Sequence, residues 1–452
     1  MSLARARRWA IFMPLALSLA FAQPALASGK GKQAAPPPAP VHVQTFQEQL
    51  AARAGGEIGS FYAYRDQPLW THADGSLDPA AFELLKLIQT ADEDGLDPAT
   101  LHAAALAQAI NAAQTNATPD ARATAEVMLS QAFAAYVASL RSDSPEGMKY
   151  EAKTLAPQQI GAYYTLTEAA KAPSLAEYVH DMRWMHPLYA PLRQAVMADA
   201  ALTPDNRLTA VRNLERIRQI PAQPNGRHII IDSAKARLWM YDGDKAVDSM
   251  RVVVGKPEKQ TPAYAGYIRS AYLNPYWNVP PDMVRSIIAK NVLNQGMGYL
   301  KRQGYEVTTA YGAEGVPIDP LTIDWAAVQR GDVKIFVRQK PGPRNSMGTM
   351  KYEFPNPYGI YLHDTPEKET LEGASRQESA GCIRLEDAKR LGSWLMEGDI
   401  QKLGNAPEQK IELPKPVPVY ITYLTAHVGD GGQIAFGPDP YSRDGVALAT
   451  AN

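Results

Sequence analysis

The spacing of apolar residues changes from predominantly helical to predominantly strand-like at Pro221-Ala222-Gln223-Pro224-Asn225-Gly226, and that change constrains the fold more than any other feature. Before it, apolar residues recur every three or four positions, the period of one helix face. Leu84, Leu85, Leu87 and Ile88 follow Asp78-Pro79, a good helix start. Met128, Leu129, Phe133, Tyr136, Val137 and Leu140 form a longer stripe. Leu208, Val211, Leu214 and Ile217, three residues apart, follow Thr203-Pro204, an N-cap with proline at the first helical position. After the break, short strand-like runs cover 228–232, 237–241 and 250–254, with a turn at Asp242-Gly243. Helical spacing returns at Val284, Ile287, Ile288 and Val292, which reads as a helical insert. A helix is expected over 385–395, with Glu386 and Asp387 in its first turn, and a closing strand over 417–424. The expectation is an α+β multidomain protein: a helical domain at 46–222, then a β-rich domain at 227–426 with an insert at about 279–350. Residues 427–452 read as a turn-rich, mobile tail.

The first 27 residues read as an export signal. Arg5, Arg7 and Arg8 precede the apolar stretch 9–22, and Ala25-Leu26-Ala27 supplies a cleavage site. Residues 28–45, with Pro36-Pro37-Pro38-Ala39-Pro40, read as a linker that can bury no core. The chain carries 46 Lys+Arg against 47 Asp+Glu, and losing the signal leaves 43 against 47. Neither balance suits a nucleic-acid binder that works by neutralising phosphates. No apolar run reaches the roughly 18 residues of a membrane span. The chain has one cysteine, which excludes an internal disulfide, a Cys-rich zinc site and an iron–sulfur cluster. No metal or other cofactor motif is evident. An exported protein with one unpaired thiol invites the question of what the thiol does.

Cys382 lies in Ser379-Ala380-Gly381-Cys382-Ile383-Arg384-Leu385. Read alone, a free cysteine is most often a small buried hydrophobe. Here a small-residue turn just before an expected helix would put the thiol at the positive end of the helix dipole, beside Arg384. Both would lower its pKa. Gly381 leaves room for a substrate carbonyl, and the amides around Cys382 could form an oxyanion hole. His363 ends a strand-like run 19 residues upstream and could serve as general base. Arg384 is either a surface charge or a group that positions a substrate carboxylate.

Tyr361-Leu362-His363-Asp364-Thr365-Pro366, followed by the Cys382 motif, closely resembles the L,D-transpeptidase (YkuD-type) catalytic domain. Val252-Val253-Val254-Gly255-Lys256-Pro257 with Thr261-Pro262 resembles that domain's early strand and turn. Asn274-Pro275-Tyr276-Trp277-Asn278-Val279-Pro280 resembles the entry to the capping insert of long periplasmic members, and Phe354-Pro355-Asn356-Pro357-Tyr358-Gly359 the approach to the catalytic strand. The helical half is similar, more weakly, to their scaffold domain at Phe61-Tyr62, Pro68-Leu69-Trp70 and Asp94-Gly95-Leu96-Asp97-Pro98. The sequence departs from the family in two ways. Ala380 stands where His or Ser is usual, and there is no room for a peptidoglycan-binding module between His186 and Arg207.

The resemblance implies a periplasmic enzyme acting on peptidoglycan stem peptides without a cofactor. Cys382 would attack a tetrapeptide stem, release D-Ala and form a thioester that a second stem's amine resolves. His363 would move the protons, with a carbonyl of Ser379 or Gly381 orienting its ring. Arg384, Tyr361, Asn356, Tyr276 and Trp277 would contact substrate, the last two from a lid over the groove, and carbapenem β-lactams would inhibit. Two rivals stay open: an L,D-carboxypeptidase or crosslink endopeptidase with the same site, and a non-catalytic wall-binding scaffold. No Ser-x-x-Lys, His-Glu-x-x-His or Gly-Lys-Ser/Thr motif supports another class.

Overall fold

The computed structural model describes residues 44–65, 67–142, 147–222, 226–312 and 315–445. The expected signal and nearly all of the linker lie outside them, as does the centre of the break at 223–225.

The helical region begins where local chemistry requires. Thr45 and Glu48 form a reciprocal capping box on the helix Phe46–Arg53. Asp78, Thr118 and Thr203 each accept a backbone N–H at the start of a helix whose first residue is proline: Pro79–Gln89, Pro119–Leu140 and Pro204–Arg218. Leu214 and Ile217 of the last helix are buried, but Leu208 is 37 % exposed. A strict spacing of three drifts around a helix of 3.6 residues per turn, so the four expected residues cannot share one face. Trp70, Phe133 and Trp184 pack edge-to-face at centroid distances of 5.7 and 5.0 Å.

Two fully buried carboxylates organise this region. Asp94 accepts from Tyr136 Oη at 2.6 Å, Tyr189 Oη at 2.8 Å and Arg193 Nε at 2.9 Å. Glu126 accepts from Tyr62 Oη at 2.7 Å, Thr71 Oγ1 at 2.8 Å and the backbone N–H groups of Leu69 and Trp70. Two of the short scaffold-like motifs thus supply partners of Glu126, through Tyr62, Leu69 and Trp70, and the third supplies Asp94 itself. Such burial is tolerated only because the oxygens are so fully bonded.

The strands are, in chain order, β1 (Lys149–Tyr150), β2 (Arg227–Asp232), β3 (Arg237–Asp242), β4 (Lys245–Gly255), β5 (Tyr264–Leu273), β6 (Trp277–Asn278), β7 (Tyr305–Thr308), β8 (Pro317–Ile318), β9 (Phe336–Gln339), β10 (Met350–Glu353), β11 (Leu362–His363), β12 (Gln377–Ser379), β13 (Ile383–Leu385), β14 (Gln409–Thr422), β15 (Ala426–Val428) and β16 (Ile434–Phe436). The main sheet runs β5-β10-β11-β13-β4-β3-β2-β14, and β14 pairs back onto β5, closing it. Its interior holds Ile229, Leu238, Val252, Val254, Leu362, Ile383 and Val419. β1, from the helical region, adds to β5, so that region contributes to the same sheet.

Three expectations are corrected. The insert is not purely helical: short helices from Pro281 to Gln303 pack with a four-stranded sheet, β6-β9-β7-β8, around a core of their own. The helix expected from Leu385 begins at Ala388, because 383–385 pairs with β4 and β11 and Asp387 caps the helix by accepting from Arg390 N–H. Through Gly445 the C-terminal segment is ordered rather than a loose tail. β15 and β16 pack against the helix Tyr189–Ala198, and Arg216 reaches Asp444 at 2.7 Å.

Candidate active site

β11 and β13 are short, parallel and adjacent, with Leu362 opposite Ile383 and His363 opposite Arg384. Ile383 N–H donates to Tyr361 O at 2.9 Å, extending the register toward Cys382. Leu362 and Ile383 are fully buried in the sheet interior. Side chains alternate along a strand, so Tyr361, His363, Cys382 and Arg384 lie together on the opposite face. The sequence motifs come together through this register, because the segment 364–382 loops back and lays β13 parallel to β11.

The turn before β13 is held from within. Gly381 N–H donates to Ser379 Oγ at 3.0 Å, and Ser379 Oγ donates to Cys382 O at 2.6 Å. Gly381 sits at φ +114°, a conformation that a side chain would strain. Ser379 is thus a turn former beneath the thiol. Ala380 is exposed and offers the thiol no side-chain hydrogen bond.

His363 is 5 % exposed. Its Nδ1 lies 2.5 Å from Asp364 O; a carbonyl only accepts, so Nδ1 carries the hydrogen and Nε2 is left with its lone pair. The orienting carbonyl is therefore that of Asp364 rather than of Ser379 or Gly381, whose oxygens accept from Lys256 N–H and Thr261 Oγ1. Asp364 is itself fixed by Thr349 N–H at 2.9 Å and Lys368 Nζ at 2.8 Å. Burial lowers the His363 pKa to about 4, against the pull of the Asp364 hydrogen bond, so the ring is neutral at neutral pH.

The thiol is also shifted, in the direction opposite to expectation. Burial raises the Cys382 pKa above its ordinary value, although the Tyr361 backbone and the Arg384 charge pull it down. The expected dipole is displaced: a three-residue strand separates Cys382 from the helix, whose first N–H groups face Asp387. The resting pair is consequently neutral thiol and neutral imidazole.

The other expected contacts divide. Arg384 pairs with Glu367 at 2.7 Å and remains partly exposed beside the thiol. Tyr361 is half-buried with its phenol pKa raised, by burial first and then by the neighbouring Cys382. Asn356 is taken up by its own loop: Nδ2 donates to Phe354 O and Ile360 O, and Oδ1 accepts from Tyr358 and Ile360 N–H. It shapes the approach to β11 instead of presenting an amide to substrate. Tyr276 and Trp277 form the root of the insert. Tyr276 N–H donates to Glu408 and its ring lies 4.5 Å from the Arg338 guanidinium, while Trp277 pairs with Gln339. Lys259 reaches Asp282 at 2.8 Å, tying the insert's first turn to the loop beside Gly381. A cleft of about 860 Å³ lined by Tyr164, Trp184, Tyr267 and Tyr420 lies elsewhere, so volume does not mark this site. The sequence reading missed Thr261 as a site residue, although Thr261-Pro262 stood among its family motifs.

Comparison with known proteins agrees with these motifs. Residues 226–421 match the YkuD family, the L,D-transpeptidase catalytic domain, and residues 56–196 match a scaffold domain family. A Haemophilus influenzae protein provisionally named an L,D-transpeptidase is 26% identical over 285 residues, 61% of this chain. The chain spans 56% of that relative's length. Among solved structures, an L,D-transpeptidase from Mycobacterium smegmatis aligns at TM-score 0.22 and 13% identity, over 43% of this chain and 58% of that one. L,D-transpeptidase 3 from Mycobacterium tuberculosis aligns at TM-score 0.20 and 13% identity, over 43% and 60%. The chain therefore carries a scaffold domain at 56–196 followed by an L,D-transpeptidase catalytic domain of the YkuD type at 226–421.

Proposed function

We propose that this protein is a periplasmic transferase that crosslinks peptidoglycan stem peptides through a thioester on Cys382. The observation that carries the reading is the His363 tautomer. Nδ1 is committed to Asp364 O, and Nε2 is a free base on the same sheet face as the only thiol.

The neutral resting pair sets the order of events. As Cys382 Sγ bonds to the carbonyl of the third stem residue, its proton passes to His363 Nε2. The carbonyl oxygen takes up negative charge and would be met by the Cys382 backbone N–H, since the Gly381 N–H is committed to Ser379 Oγ. The C–N bond to the terminal D-Ala breaks, and His363 returns the proton to the departing amine. A stem amine then attacks the thioester, Nε2 takes its proton, and the thiolate leaves and is reprotonated. Atoms balance as one D-Ala released per crosslink. Arg384 would hold a substrate carboxylate, exchanging Glu367 for it. The insert would shield the thioester from water, which favours amine over hydrolysis. Carbapenems would acylate the same sulfur.

The test uses the purified mature protein with a disaccharide tetrapeptide, read by mass spectrometry beside Cys382→Ala. Dimers with one D-Ala lost, absent from the variant, are expected. Tripeptide monomer alone would make the enzyme an L,D-carboxypeptidase with the same acyl-enzyme. No turnover and no acyl-enzyme mass would leave the non-catalytic scaffold.

A further inference from the structure

The peptide between Gly381 and Cys382 is held from behind. Thr261 is fully buried, and its Oγ1 donates to Gly381 O at 2.9 Å while accepting from Gly255 N–H at 2.9 Å. In a trans peptide the C=O and the following N–H point in opposite directions. Fixing Gly381 O toward Thr261 therefore fixes the Cys382 N–H in the opposite direction, away from Thr261.

Thr261 is itself fixed by the far end of the chain. Tyr441 Oη donates to Gly255 O and accepts from Thr261 N–H at 3.4 Å. The Arg443 guanidinium donates to Gln260 Oε1 at 2.9 Å and to Thr261 O at 3.2 Å. Tyr441 stacks on Tyr423 at 5.2 Å, and Asp439 ties the strap by accepting from Arg443 and Asp444 N–H. Arg216, from the helix Pro204–Arg218, then grips Asp444 at 2.7 Å and Arg443 O at 3.1 Å. An unbroken series of contacts thus runs from the helical domain through the C-terminal strap to the nucleophile's own peptide.

We propose that Thr261, braced by the C-terminal strap of Tyr441 and Arg443, is a positioning residue that aims the Cys382 N–H at the developing oxyanion. This rests on Cys382 being the acylated nucleophile. It assigns the C-terminal segment and the helical domain a part in the chemical step: the strap keeps the Gly255–Thr261 loop seated against Gly381.

The experiment separates aiming from stability and from reactivity of the sulfur. Full-length mature wild type, Thr261→Val, Thr261→Ser and Tyr441→Phe are compared in three ways. These are acylation by the tetrapeptide, acylation by an activated p-nitrophenyl ester, and alkylation of Cys382 by iodoacetamide, which forms no oxyanion. Thr261→Val is expected to lower kcat for acylation by about 10–100-fold, short of the loss of an entire oxyanion donor, with KM within about 2-fold. Alkylation stays within about 2-fold of wild type, and Thr261→Ser restores acylation to within about 3-fold. Tyr441→Phe, which keeps the ring stack and loses both hydrogen bonds, lowers kcat in the same sense by about 3–10-fold. Unchanged kcat in both variants overturns the proposal, as does a parallel fall in alkylation or a failure of Ser to rescue. Should wild type acylate from the ester but not the tetrapeptide, the substrate reading fails while the ester kinetics still decide the positioning role. Should it acylate from neither, both fall.

Discussion

Asp94 and Glu126 of the helical domain and His363 of the sheet domain are all buried, and their hydrogen bonds are filled to different degrees. Asp94 accepts from two phenols and Arg193, and Glu126 accepts from a phenol, a hydroxyl and two backbone N–H groups. On the outer face of β11 and β13, His363 keeps one ring nitrogen bonded and the other with its lone pair, on the same side as a thiol whose pKa burial raises. A network with every partner in place resists movement, which suits a domain that clamps. A pair with one proton to exchange and no charge at rest can move it without separating charge in advance. The difference lies in how completely the hydrogen bonds are filled.

The largest effect should come from breaking the second arrangement. Cys382→Ser removes acyl-enzyme formation by mass spectrometry, and His363→Ala lowers the acylation rate by about 10²–10⁴-fold. Cys382→Ser should leave the melting temperature within about 2 °C, since no filled network is opened. A parallel loss of fold would erase the contrast.

Breaking the first arrangement should give the reverse result. Arg193→Ala leaves the buried Asp94 charge without its cation and should cost about 3–5 kcal/mol in urea unfolding. Per folded molecule, acylation should persist while Arg216 still holds the strap. An equal loss of activity would mean that the Asp94 network reaches the site.

A third effect is smaller and depends on pH. His363 and His228 have pKa values lowered to about 4, and His186 to about 3, burial being the leading cause in each case. The folded state therefore disfavours their cations. Between about pH 6.5 and these values the unfolded chain binds protons that the folded chain refuses. Stability should be flat with respect to these groups above pH 6.5 and fall as pH drops toward 4. Acylation should hold its rate well below pH 6.5 and lose it only as His363 protonates near 4. A rate that falls at pH 6.5 would place the base outside this buried site.

The smallest change sharpens the picture of Arg384. Glu367→Gln weakens its resting ion pair, so a substrate carboxylate meets less competition, and KM should fall by about 2–3-fold with kcat unchanged. Unaltered KM would return Arg384 to a surface charge.

Much of this was legible from local signals. Asp78-Pro79 and Thr203-Pro204 marked helix starts because caps act within three residues of themselves. Cys382 and His363 stood out as the only thiol and a strand-end imidazole in one recognisable motif. What misled was also local. The apolar spacing of Leu385, Ala388 and Leu391 suited a helix, yet β4 claimed Leu385 for the sheet, opposite Val252. Asn356 sits in a motif of the family, and its hydrogen bonds turned out to serve its own loop.

The change from helical to β-rich character, the cap sites and the candidacy of Cys382 and His363 were readable from the sequence, because each depends on neighbours along the chain. The folded structure alone settled that β14 closes the sheet onto β5, that Asp364 O sets the His363 tautomer and that burial raises the thiol's pKa. It also decided that Tyr441 and Arg443 reach back some 180 residues to Thr261. The reason is physical: desolvation and long-range hydrogen bonds depend on which segments meet, and residue spacing says little about that.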